Sequence, residues 1–103
     1  DLVVDMRFLP NPHWVPDLRP LSGRDAAVSE YVLGQPGAQS FIDRYADLVM
    51  EVTEGFEREG KRYLTVAVGC TGGKHRSVYI VEKLAKAFAG RYDPVVVRHK
   101  ELA

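Results

Sequence analysis

The chain has 103 residues, 46% of them apolar, with 14 basic residues balanced by 14 acidic ones. That length allows one domain, residues 1–103, with a modest core, and that apolar fraction excludes a disordered segment. Zero net charge excludes a globally basic nucleic-acid binder, and no apolar run approaches the roughly 20 residues of a membrane helix. The lone Cys70 cannot form an internal disulfide, so a reducing, cytoplasmic setting is expected. The chain opens on DLVVDMRF, already strand-like and without an initiator Met or a signal-peptide pattern, as expected of a domain cut from a longer protein.

In chain order, Leu2 to Phe8 is β-branched and apolar and reads as a first strand. LPNPHWVPDLRPLSGRD follows, a long loop holding four of the six prolines, with Trp14 as an expected packing anchor. Asp25 is placed to cap a short helix, AAVSEYVLG. The longest helical pattern runs from Gly37 to Gly60. Phe41, Ile42, Tyr45, Leu48, Val49, Val52 and Phe56 make its apolar stripe, and Asp43, Asp47, Glu51, Glu54, Glu57 and Glu59 its solvated face. RYLTVAVGC reads as a second strand covered on both faces. A glycine-rich loop leads into a helix from about Ser77 to Ala89, which should bury Val81, Leu84, Ala85 and Phe88. DPVVVRHK reads as a third strand. The alternation predicts a small layered α/β domain with a mostly parallel sheet of three to four strands flanked by helices.

In such sheets ligands bind beyond the carboxyl ends of the strands. That edge should collect Arg7, Asn11, His13, Cys70, Lys74, His75, Arg76, Arg98 and His99. The loop VGCTGGKHRSV has the build of an anion cradle. Helix-start N–H groups lack intrahelical partners, Gly72 and Gly73 permit unusual backbone conformations, and Arg76 offers a fork for phosphate oxygens. Its spacing is neither Walker A nor a dinucleotide fingerprint, so the loop does not imply ATP. Cys70, five residues, then Arg76 and Ser77 resembles the C-x5-R-[ST] loop of cysteine-dependent phosphatases, where the cysteine is the nucleophile. Here Gly69 stands where those enzymes carry His, and no general acid is evident beyond the remote Asp17 and Asp25. Cys70 is then either a ligand contact or a small buried residue ending a strand. Three histidines and one cysteine show no paired zinc spacing, so no metal is expected.

DMRFLPNPHW, LRPLSGRD, YLTVAVGCTGGKHRSVYIVEKLA and VVVRHK together resemble the C-terminal domain of the RapZ/YvcJ family of bacterial proteins, over nearly the whole chain. The resemblance implies a cytoplasmic, self-associating regulatory protein whose separate N-terminal P-loop domain holds ATP or GTP, leaving this domain without a cofactor. It implies a fold like a subdomain of 6-phosphofructokinase and binding of an amino-sugar phosphate such as glucosamine-6-phosphate. In the full-length protein it implies adaptor work between a small regulatory RNA and a ribonuclease. Carried onto this chain, the phosphate-binding residues are Cys70, Thr71, Gly72, Gly73, Lys74, His75, Arg76 and Ser77, approached by Asn11 and His13. The RNA-binding candidates are Arg7, Lys74, Arg76, Arg98 and Lys100. No catalytic residue is assigned, and the cysteine phosphatase is the alternative.

Overall fold

β-Branched residues at both ends of a long helical crossover give two short strands that pair in parallel. In the computed structural model, which describes residues 1–92 and 94–101, these are β1 (Leu2–Asp5) and β2 (Val66–Gly69). The register runs from Leu2 opposite Val66 to Asp5 opposite Gly69, and the Met6 N–H extends the ladder by donating to Gly69 O at 2.7 Å. Between the strands lie a 3-10 turn (Pro12–Trp14), α1 (Ala26–Leu33) and α2 (Ala38–Arg58); α3 (Arg76–Phe88) follows β2.

The core lies where the three helices meet the inner face of the sheet. Met6, Leu9 and Leu18 enter it from β1 and its loop, Val28 and Val32 from α1, Ala38, Ile42 and Ala46 from α2, and Tyr79, Ile80 and Leu84 from α3. Val4 and Val68 back this cluster. The acidic face of α2 is exposed from Asp43 to Glu59. The aromatic end of its apolar stripe joins the loop, with Phe8 edge-on to Phe41 and Phe41 stacked on Tyr45, each 5.3 Å between centroids.

Four sequence expectations change. The sheet has two strands among the described residues, not three or four. Residues 94–99 form no strand: Pro94 has no N–H to give a ladder, and Val96 is 71% exposed. Asp93, the first residue of the predicted third strand, lies outside the described residues. Second, the strands are covered on one face only. Their burial alternates residue by residue, and Val3 is 82% exposed, because all three helices pack from the side of Val4 and Val68. Third, Asp25 does not cap α1 with its side chain; its carboxylate accepts the Ser22 N–H at 2.7 Å and shapes the preceding turn. Fourth, the buried face of α3 is shifted one turn toward its start. Arg76 through Ile80 are all buried, whereas Val81, Ala85 and Phe88 are half-buried, because the proline-rich loop covers the first turn.

Candidate functional site

β2 ends at Gly69, and the chain turns through Cys70–His75 into α3. Gly72 and Gly73 take φ of +81° and +64°, values open to glycine and strained for other residues. This turn brings the start of α3 beside the carboxyl ends of both strands. A wide-open surface depression of about 390 Å³ lies at these strand ends, lined by Asp5, Arg7, Gly69, Cys70 and Thr71. A second cleft of about 430 Å³ runs along α3 from Arg24 to Lys86 and contains none of the predicted site residues.

Cys70 sits at the start of α3 where a capping side chain would normally lie. Its Sγ accepts the Ser77 N–H at 3.4 Å and lies 3.3 Å from Ser77 Oγ. Burial opposes ionisation of the thiol. Hydrogen bonds from the Ser77 hydroxyl and the Ser77 and Gly73 N–H groups, helped by the Arg76 charge, outweigh it, so the thiol lies below its ordinary value. Part of the anion cradle is therefore occupied by the protein's own sulfur. Thr71 and Gly72 remain exposed at the turn, and the Glu101 side chain lies over Gly73, whose added Cβ would come within 2.9 Å of Glu101 Cγ.

The three residues read as donors for an anion are each turned toward the proline-rich loop. Lys74 Nζ reaches Arg19 O at 3.5 Å, His75 Nε2 donates to Leu18 O at 3.1 Å, and Arg76 Nη1 donates to Leu9 O at 2.8 Å. His75 and Arg76 are buried, at 5% and 3% exposure. Arg76 makes no ion pair among the described residues, and its Nε is buried without a hydrogen-bond partner. Its charge nevertheless acts on both Asp5 and Cys70, which line the depression. As an RNA contact Arg76 is corrected: a guanidinium this buried cannot meet an RNA backbone. Arg7, Arg98 and Lys100 are exposed, and Lys74 is half-buried.

Asn11 and His13 are occupied within their own loop. Asn11 Oδ1 accepts the His13 N–H at 3.0 Å, and the exposed His13 ring stands edge-on to Trp14 at 5.3 Å. Trp14, expected as a packing anchor, is 74% exposed. His99, placed on the ligand edge by the sequence, instead donates to Glu82 Oε1 on α3 at 2.8 Å, beside the Arg24 Nε contact at 3.1 Å. Without a third strand, nothing carries residue 99 to the strand ends. Among the described residues no three of His, Cys, Asp and Glu come together as metal ligands.

Sequence reading missed Asp5. Its carboxylate ends β1 and accepts both the Arg7 backbone N–H, at 2.9 Å, and the Arg7 guanidinium, at 2.7–3.0 Å. The Arg7 hydrogen bonds hold it below the usual carboxylate range. The D-M-R spacing at a strand end was the available signal. Gly23 was also missed; its N–H donates to Lys74 O at 2.9 Å and clamps the loop onto the start of α3.

With this loop geometry in hand, comparison with known proteins is decisive. A family model described as the RapZ C-terminal domain matches residues 1–103. The chain belongs to that family. The RapZ domain here is 63% identical over 102 residues to "Nucleotide-binding protein SCO1952" of Streptomyces coelicolor. It is 63% identical over 107 residues to a "Nucleotide-binding protein" of Acidothermus cellulolyticus, and 62% over 102 residues to "Nucleotide-binding protein FRAAL4592" of Frankia alni. Each match takes in 99% of this chain but only 34%, 34% and 35% of the relative, so the chain spans about a third of their length.

Proposed function

We propose that this RapZ domain is a regulatory binding domain that holds a phosphorylated small molecule, an amino-sugar phosphate such as glucosamine-6-phosphate, at the strand-end depression. The observation that carries this reading is the depression itself. It lies at the carboxyl ends of both strands, where the turn toward α3 begins, with Arg7, Cys70 and Thr71 on its lining. Helix-start amides and a nearby guanidinium favour a phosphate over a neutral ligand.

Calorimetric titration with glucosamine-6-phosphate tests the reading. Wild type should bind, and Arg7→Ala should bind about tenfold more weakly, since it removes one charge-assisted contact and leaves Asp5 unpaired. No heat with any sugar phosphate at millimolar concentration would sink it.

The low-lying Cys70 thiol favours a second reading, phosphatase chemistry. Binding without turnover is better supported. Asp5 is the one carboxylate lining the depression among the described residues, and Arg7 keeps it ionised and therefore a poor proton donor. Hydrolysis of an aryl phosphate that disappears in Cys70→Ser would reverse that judgement.

For the full-length protein we propose the further properties that the family implies: cytoplasmic location, self-association, and contact with a small RNA and a ribonuclease. Nucleotide binding, named in the relatives, is proposed for the part of the full-length protein outside these residues.

A further inference from the structure

The open cleft of about 430 Å³ between α1 and α3 shares no lining residue with the strand-end depression. One wall is a single stripe of α3. Tyr79, Lys83 and Lys86 follow one another at four and three residues, so their side chains leave the helix on the same face. The other wall carries Arg24, just before α1, and Ser29 within it. The walls meet at Gly23, which has no side chain to hold the loop away from Tyr79 N.

Three cations and one carboxylate, Glu82, line this cleft. The carboxylate is already paired: its Oε1 accepts from Arg24 Nε at 3.1 Å and from His99 Nε2 at 2.8 Å. Lys83 and Lys86 have no carboxylate within ion-pair distance among the described residues. Two like charges one helical turn apart repel, and an anion between them relieves the repulsion.

Tyr79 adds a polar group of a different kind. It is 5% exposed and packs in the core cluster, yet it belongs to the cleft lining. Its hydroxyl makes no hydrogen bond among the described residues and is still reached by solvent. Burial of the ring disfavours the phenolate, so the hydroxyl keeps its proton to donate. A hydroxyl held this firmly by a packed ring offers a fixed donor, beside two lysines that offer mobile charge.

We propose that the α1–α3 cleft is a second ligand site, for a small molecule carrying two or more negative charges as phosphate or carboxylate groups. Lys83 and Lys86 neutralise the charge, and the Tyr79 hydroxyl fixes the ligand's orientation. The site stands independently of the strand-end reading above.

The test is an NMR titration of this chain, with inorganic pyrophosphate and citrate as separate probes, at about 150 mM salt so that diffuse surface attraction is screened. Amide signals of Arg24, Ser29, Tyr79 and Lys83 should shift and saturate with one probe or both, and the probe that acts names the ligand class. Lys83→Gln combined with Lys86→Gln should raise Kd at least about tenfold, since two charge-assisted contacts are lost. Tyr79→Phe keeps the packed ring and should raise Kd about fivefold, the loss of one hydrogen bond. Arg7→Ala should leave Kd at the cleft unchanged. Shifts confined to Arg7, Cys70 and Thr71 would overturn the cleft site and leave the strand-end reading standing. No saturable shift at the cleft up to about 10 mM of either probe would also overturn it. Cleft shifts with an unaltered Kd in the double lysine variant would overturn the assignment to these residues.

Discussion

A Cβ on Gly23 would lie 2.4 Å from both His75 O and Tyr79 N and 2.8 Å from the Val78 Cβ. Two of these neighbours are helix backbone, which cannot step aside as a flexible side chain can. Gly23→Ala should therefore lose about 3 kcal/mol of stability, measured by urea unfolding, although it adds one methyl group. Gly72 poses the opposite problem: it has open space around it but a φ of +81°, so only the backbone objects to a side chain. Glycine was recognisable in the sequence at Gly72, where a tight turn before a helix demands it. It was not recognisable at Gly23, because the contact spans more than fifty positions of sequence. The same holds for Lys74, His75 and Arg76. Their donors are visible in a sequence, but the carbonyls that accept from them belong to the backbone of Leu9, Leu18 and Arg19 and leave no mark in it.

At the scale of elements, α2 was legible because its apolar and acidic residues alternate with helical period over many turns. The strands were legible in position but not in extent. Leu2 to Phe8 contains a four-residue strand, because after the Met6 N–H makes the last ladder bond the chain turns, with the Met6 side chain in the core. The stretch 94–99 has strand composition without a strand, since composition cannot say whether an edge is available. Among the described residues this stretch is tied to α3 by the His99 hydrogen bond to Glu82, a carboxylate that also pairs with Arg24. The His99 hydrogen bond, with help from Arg24 and against the effect of burial, holds Glu82 below the usual carboxylate value. A lowered carboxylate contributes stability above its ordinary range and loses it as pH falls through the lowered value. With Glu82 about one-third exposed, solvent screening limits this to about 0.5–1 kcal/mol. Glu82→Gln should show that deficit in urea unfolding at neutral pH. The gap should close on acidification, and a gap that widened in acid would contradict the assignment.

For the molecule as a whole, balanced charge limits what any RNA contact can be. With Arg76 buried, the RNA candidates reduce to Arg7, Lys74, Arg98 and Lys100. About four phosphate contacts to a single strand give a slope of roughly −3 in log affinity against log salt. Gel shifts across a salt series should recover a slope near that figure; no shift at low salt would remove RNA binding from this chain. The sequence by itself determined the α/β class, the parallel pairing and the glycine turn at the start of a helix, because periodicity and backbone freedom are local properties. It also carried enough motif to place the chain in its family. Only the tertiary structure decided which donors hold the protein together and which are left at the strand ends. That choice depends on distant backbone carbonyls: they turn Lys74, His75 and Arg76 toward the proline-rich loop and leave Arg7, Thr71 and the Cys70 sulfur at the depression.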